Sequence, residues 1–409
     1  MRILFVSQFI YRPDQPAANR IYDFLQHLAA RGHKPHVVAG AVHYLHDTGD
    51  PELARKKMVD TSWGDVPVTL TYARPNFRKG VVSRLRSYFS FAWYAMRALM
   101  RVGPVDAILV SIQPIFVAPI AWVISRIRGV PLILEVRDLW PDAAVEVGLI
   151  KSPILIGLGR WLEGFVYRRA QHIIVIGYEM KKLIVAKGID PDKIDVFPQG
   201  FQPGNGTPLD RGASRRKLGL DPDEFVLMFT GSFGLANNDV PSIVEAAIRL
   251  KDEPGLTIVF VGEGDQKQPS IDRCAAAGVS NVRFLPMVPK KDVHHLLAAA
   301  DASVMTLPPG DFWKICLQNK FFDYLGNGLP LIAAVAGDQE QLLRAADGGI
   351  VVRPGDVDGL VEAVLKLKGD PELRRRLGDN AREYVRTHLM RADIVSDYAE
   401  LLERLVGVP

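Results

Sequence analysis

The chain has 409 residues, enough for two α/β domains and too long for one of ordinary size. Hydrophobic residues at 48% and charged residues at 23% exclude disorder and collagen-like fibres, and two cysteines, Cys274 and Cys316, exclude a disulfide scaffold and a CxxC metal site. The net charge of +4 hides an asymmetry: residues 1–205 carry 26 Lys and Arg against 17 Asp and Glu, whereas residues 206–409 carry 24 against 29. Two halves with different partners are expected.

Taken in chain order, the first run, Ile3–Val6, reads as a strand rather than a signal peptide. The loop Ser7–Ala18 follows it, holding Gln15, Pro16 and Ala17, and leads to a helix at Asn19. Such a loop suits a phosphate or a sugar hydroxyl, or is a plain βα connection. It has no Gly, which counts against a nicotinamide fingerprint. Ile21, Phe24, Leu25 and Leu28 form one apolar helical stripe, ended by Gly32. Strands are expected at His36–Ala39 and Val68–Tyr72. Between Gly80 and Arg101 an aromatic-rich helix is set with Arg84, Arg86, Trp93, Arg97 and Arg101 and lacks any acid. It reads either as a helix lying on an anionic membrane or as one buried between sheet and neighbour. Ile115–Ile124 is apolar, but Pro119 and its short length rule out a membrane span. A cytoplasmic protein, peripheral on the inner face of the membrane, is expected.

Strands at Ala107–Ser111, Leu132–Val136 and Ile173–Ile176 complete the first half. The second of these three runs into Glu135-Val-Arg-Asp-Leu-Trp-Pro-Asp142, where an apolar strand ends in a cluster of charges. Glu135, Arg137 and Asp138 are therefore candidate ligand contacts, the alternative being that Arg137 merely pairs with Asp142. Pro198–Pro208 is dense in Pro and Gly and reads as a hinge. Strands then recur at Phe225–Thr230, Thr257–Val261, Val282–Leu285, Ala302–Met305, Leu331–Ala334 and Ile350–Val352. Strand–helix alternation in both halves predicts two doubly wound parallel sheets facing across a cleft. After the first of these strands come Gly231, Ser232, Phe233 and Asn238, and after the second Gly262, spaced for close backbone approach to an anion. Lys320 and Asp323 lie three apart on one helical face, either a diphosphate cation and a ribose carboxylate or a plain surface ion pair. The last helix is expected at Asp393–Val406.

These motifs together resemble the family-4 retaining glycosyltransferases of the GT-B fold. Lys320-Phe-Phe-Asp-Tyr-Leu-Gly-Asn-Gly-Leu-Pro-Leu-Ile332 is similar to that family's K-x-x-E-Y-x-x-x-G-x-P-V-I, Phe284–Lys290 to its nucleobase loop, and Ala299–Ser303 to its A-D-x-x strand start. Glu135–Asp142 is similar to the R-D-L-W-P-E of a bacterial acetamido-sugar branch, which transfers sugars such as N-acetyl-fucosamine in surface-polysaccharide and O-antigen synthesis. The pattern departs in four places. Asp323 replaces the second family glutamate, Ile315 stands for the first, and Ser232 replaces the usual Arg, with no Lys at Ala236–Asn238.

The resemblance implies domains at 1–200 and 201–387, with residues 388–409 packing back on the first. It implies a UDP-sugar donor, retention of configuration, no cofactor and no metal. Lys320 and the amides after Gly231 would meet the diphosphate, with Ser232, Phe233, Asn238, Gly262 and Asn319 beside them. Asp323 would hold the ribose, Met287 and Val288 the base, and Asp138 would orient the sugar. Gln15, Pro16, Ala17, Glu135 and Arg137 would face a polyprenyl-diphosphate-linked acceptor. A sugar-nucleotide epimerase and an inactive sugar-nucleotide-binding partner remain the alternatives. Nucleic acid is not an expected partner, because no recognisable module accompanies the basic stretch.

Overall fold

The computed structural model describes residues 1–10, 20–40, 51–76, 80–112, 115–204, 210–234 and 238–407. The chain divides into two compact units, Met1–Phe197 with Ile394–Pro409, and Pro198–Asp393.

The first unit contains strands β1 (Arg2–Ser7), β2 (Lys34–Gly40), β3 (Met58–Trp63), β4 (Val66–Thr71), β5 (Ala107–Ser111), β6 (Leu132–Val136), β7 (His172–Val175) and β8 (Ile194–Val196). Its helices are α1 (Arg20–Ala30), α2 (Pro51–Lys56), α3 (Val81–Arg101), α4 (Val117–Arg128), α5 (Asp142–Glu146), α6 (Pro153–Arg169) and α7 (Tyr178–Ala186). The sheet order is β3-β4-β2-β1-β5-β6-β7-β8, parallel except where β3 returns antiparallel to β4. β3 and β8 escape the sequence reading for physical reasons. β3 is an edge strand whose Asp60, Thr61 and Ser62 face solvent, and β8 has only three residues. The apolar stripe of α1 packs on one sheet face, where Leu25 and Leu28 are fully buried with Ile3, Phe5 and Val37. The last helix of the chain, α16 (Arg391–Val406), lies against the same cluster through Tyr398, Leu401 and Leu402. The Tyr398 ring meets Phe24 edge-on at 4.3 Å. Each such buried Leu contributes about 1.5–3 kcal/mol of transfer free energy, enough to hold an amphipathic helix in place.

The second unit has six parallel strands, β9 (Phe225–Thr230), β10 (Leu256–Val261), β11 (Val282–Leu285), β12 (Ala302–Thr306), β13 (Leu331–Ala334) and β14 (Gly349–Val352). Its helices are α8 (Arg211–Leu218), α9 (Val240–Arg249), α10 (Lys267–Ala276), α11 (Lys290–Leu297), α12 (Asn319–Gly326), α13 (Asp338–Ala345), α14 (Val357–Gly369) and α15 (Pro371–His388). The order β11-β10-β9-β12-β13-β14 reverses direction between β9 and β12. Loops that diverge at such a reversal leave a crevice beyond the strand ends, so topology alone points to the ends of β9 and β12. Val240, Ile243, Val244 and Ala247 of α9 cover Phe225, Leu227 and Phe229 of β9 in one core. Asp239, Asp356 and Asp370 cap α9, α14 and α15 by accepting amide N–H bonds from Ser242, Gly359 and Leu373. The fold is therefore α/β with two Rossmann-like sheets of eight and six strands.

Candidate functional site

Beyond the end of β9 the chain turns at Gly231, whose N–H donates to the Val261 carbonyl at 2.9 Å. Gly231 has φ +149°, and a Cβ there would stand 2.9 Å from the Lys320 Nζ. A Cβ on Gly262 would come within 1.8 Å of the Gly231 carbonyl oxygen. These two glycines thus let the β9 and β10 loops stack backbone on backbone with an ammonium directly above. The Phe233 ring is fully buried among Phe229, Phe260 and Phe284. Its N–H donates to the Glu263 carbonyl at 2.9 Å, so this amide belongs to the loop stack. Ser232 stays exposed beside it.

Lys320 sits in the first turn of α12, which has no side-chain cap at Gln318. Its Nζ donates to Asn238 Oδ1 and lies 4.3 Å from the centre of the Phe229 ring. Asn238 is buried and donates from Nδ2 to the Ser232 carbonyl at 3.0 Å, which clamps the β9 loop to the lysine. Desolvation lowers the Lys320 ammonium to a pKa of about 7. The residues that surround it offer an amide oxygen and an aromatic face rather than a carboxylate. Asn319, the preceding residue, has a buried Oδ1 with no hydrogen-bond partner.

Asp323 turns the other way. Its carboxylate accepts from Lys290 Nζ at 2.5 Å, so the i,i+3 pairing with Lys320 does not form. Lys290 opens α11 directly after the loop that carries Met287, which is exposed, and Val288, which is half-buried. The sequence reading missed Lys290 as a partner; its position at the end of the nucleobase-like loop was the available signal. The Asn327 side chain donates to the Asp323 carbonyl at 2.7 Å and bonds His294, whose imidazole is lowered by burial. Tyr324 accepts the Thr230 N–H at 2.7 Å, fixing α12 to the end of β9. Ile315 is buried in a 3-10 turn, Asp311–Ile315, leaving an apolar wall where the family pattern carries a glutamate.

In the first unit, Glu135 is buried near the end of β6 and lines a small cavity with Phe5, Phe24 and Tyr398. Arg137 is half-buried. Asp138 keeps exposed surface, yet protein crowding around it raises its carboxyl to about 6, with Arg137 opposing. Asp142 does not pair with Arg137; it accepts from Arg160 at 3.1 Å and Lys187 at 2.9 Å, and Lys187 also holds buried Glu163. Asp142 is thus a structural anchor for α6. Gln15, Pro16 and Ala17 lie outside the described residues. Of the membrane-facing candidates on α3, Arg86, Trp93 and Arg97 are exposed, Arg84 is half-buried with an enclosed Nε, and Arg101 pairs with Asp60 at 2.8 Å. Among the described residues no three His, Cys, Asp or Glu side chains converge to hold a metal ion, and no helix is long and apolar enough to cross a membrane.

Residues 17–200 match the glycosyl transferase 4-like domain model, and residues 224–370 match that of the glycosyl transferases group 1. The chain is 26% identical over 289 residues to a D-inositol 3-phosphate glycosyltransferase of Thermomonospora curvata, a match over 66% of this chain and 65% of that protein. The matched stretch is thus less than two thirds of that relative's length. To the colanic acid biosynthesis glycosyl transferase WcaI of Escherichia coli it is 24% identical, over 84% of this chain and 86% of the other. Its fold is similar to that of HepE from Anabaena, solved with UDP-glucose, at TM-score 0.72 and 17% identity over 99% of this chain and all of the other.

Proposed function

The chain belongs to the group 1, family-4 glycosyltransferases of the GT-B fold, and from that premise we propose that it moves a sugar from a UDP-sugar to a lipid-linked saccharide. One observation carries the donor half of this reading. Lys320 is a desolvated ammonium with no carboxylate against it among the described residues, set beside a helix N-terminus without a side-chain cap and a glycine-built loop. A diphosphate supplies the missing negative charge, and the helix dipole adds to its hold.

In the reaction proposed, the bond between the anomeric carbon and the β-phosphate oxygen breaks while the acceptor hydroxyl oxygen bonds the same face. The hydroxyl proton passes to the departing phosphate. Charge grows on the diphosphate as it leaves, and Lys320 then contributes more than in the ground state. Asp323, sharing Lys290, takes the ribose hydroxyls, and the Met287–Val288 backbone takes the base. Asp138 orients the sugar and stabilises its developing positive charge; it reaches its carboxylate form only above about pH 6. Ile315 removes a carboxylate that would otherwise read sugar hydroxyls, which fits a less hydroxylated, acetamido-type sugar. WcaI, named for colanic acid biosynthesis, supports a role in bacterial surface polysaccharide assembly.

The test is a panel of UDP-sugars offered with polyprenyl-diphosphate-linked and soluble saccharides, with UDP release as the readout. Release that depends on the lipid-linked acceptor supports the proposal. Sugar interconversion with little UDP release would replace it with an epimerase. No release from any pair, in a protein that binds UDP, would mark an inactive sugar-nucleotide-binding partner.

A further inference from the structure

α3, α4 and α6 form a single layer on the sheet face opposite α1 and α16. α4 joins α3 through Phe116 and Phe89, whose rings are 5.0 Å apart. Arg128 of α4 donates to the carbonyls of Leu99, Val102 and Gly103 at the end of α3. α4 joins α6 through a stack in which Phe165 meets Trp122 at 5.1 Å and Trp161 at 5.8 Å, with Arg169 over the Trp122 ring. The layer is thus continuous from α3 to α6.

Its inner face is ordinary core, with Phe91, Ala95, Ala98 and Leu99 of α3 buried. Its outer face is not ordinary surface. On α3 the residues Val82, Phe89, Trp93 and Met100 are all exposed, Val82 at 62%. With Arg86 and Arg97 they follow spacings of three and four, one solvent-facing helical stripe. On α4, Val123 and Ile127 repeat this at i and i+4, with Ile127 76% exposed. On α6, Ile154, Leu155, Leu158 and Trp161 line the opening half of the helix, Ile154 at 81% and Trp161 at 60%. Single exposed apolar residues need no explanation, but an adjoining set on three packed helices does.

Charge identifies the occupant. The three helices carry nine arginines and one acid, and that acid, Glu163, is buried on Lys187. The bordering carboxylates Asp60 and Asp142 are taken by Arg101 and Arg160. Arg86, Arg97 and Arg126 are exposed and meet no carboxylate among the described residues. Aromatic and aliphatic tips surrounded by unpaired arginines match the interfacial region of an anionic bilayer, where rings enter the headgroup boundary and guanidinium groups meet phosphates. A protein partner of mixed charge gives no reason for such one-signed composition.

We propose that the outer face of α3, α4 and α6 is a docking plane for an anionic lipid leaflet, with the start of α6 as an inserting edge alongside α3. This rests on the lipid-linked acceptor reading for its purpose, though not for its evidence. The plane borders the sugar-facing motif: Phe116 lies 5.4 Å from Trp140, two residues beyond Asp138. Gly159 of α6 packs on Pro141, since a Cβ there would stand 3.0 Å from that ring.

Co-sedimentation with vesicles of phosphatidylglycerol and phosphatidylethanolamine, against pure phosphatidylcholine, tests the proposal without any acceptor lipid. The wild-type chain is expected to bind the anionic vesicles, and salt is expected to weaken that binding. Leu158→Glu with Trp161→Glu should abolish binding, whereas Arg86→Gln with Arg97→Gln and Arg126→Gln should weaken it on the order of 100-fold. Unchanged melting temperature and UDP affinity in both variants would show that fold and donor site are intact. Absent vesicle binding, or binding indifferent to both variants, overturns the docking plane while leaving the glycosyltransferase reading untouched. So does a wild-type dimer that Trp161→Glu dissolves, which would make the face a protein interface.

Discussion

At the scale of single residues, the sequence named donor-side candidates but not the contacts that hold them. Lys320, Asp323 and Gly231 could be named from spacing, but spacing could not say that Asp323 would turn to Lys290 and Lys320 to Asn238. Three positions on a helix fix a shared face, while the partner across that face comes from another part of the chain. Phe233 shows the converse. Its place in a glycine-flanked loop suggested a ligand contact, whereas its ring completes a core of Phe229, Phe260 and Phe284. Asp138 offers a pH test. Protein crowding raises its carboxyl to about 6 although part of it stays exposed, so the ionised form that would stabilise a positive sugar is lost as pH falls through 6. The pH profile of kcat/KM should fall on the acid side near that value. Asp138→Asn should lower the rate and flatten that limb; a limb that persists in the variant assigns it to another group.

At the scale of elements, strands with buried, uninterrupted apolar runs stood out in the sequence. β5, β6, β9 and β13 coincide with their expected spans and are buried along their whole length, both faces being covered. β3 did not, since its Asp60, Thr61 and Ser62 face water and follow no apolar period. The amphipathic reading of α3 was ambiguous for the same reason in reverse: two of its faces are apolar, and only one can meet the sheet. One ion pair had no sequence signal at all. Buried Arg215 in α8 donates to Asp301 at 2.6 Å and to the carbonyls of Asp221, Glu224 and Ala299. Asp301 in turn accepts the Val226 N–H at 2.8 Å, so one carboxylate joins α8, β9 and the start of β12. Arg215→Ala strips the buried Asp301 carboxylate of its enclosed partner, leaving only the exposed Arg211, and should cost about 3–5 kcal/mol in chemical denaturation of the second unit. A loss below about 1 kcal/mol would mean that Arg211, which also pairs with Asp301, carries the junction by itself.

At the scale of the whole molecule, the chain returns to its first unit at its end. Just before that return, Arg391 is buried and donates to the carbonyls of Gln199 and Gly200. Phe201 exchanges backbone bonds with Leu389 and Arg391. The Pro- and Gly-rich segment expected to act as a hinge is therefore fastened at its described end, Pro198–Gly204, within the second unit. The function proposed at this scale requires the second unit to bind the diphosphate of a sugar nucleotide through Lys320. Because desolvation holds that ammonium near 7, much of it is neutral at pH 8, and a bound diphosphate should draw a proton onto it. Calorimetric titration of UDP in buffers of different ionisation heat measures affinity and proton uptake together. Affinity should fall as pH rises from 7 to 9, with protons taken up on binding. In Lys320→Met, affinity should drop by roughly 10- to 150-fold, the worth of a hydrogen bond to a charged group, and the proton uptake should vanish. A folded Lys320→Met protein that binds UDP as tightly as the wild type, with the same proton uptake, would contradict the assignment.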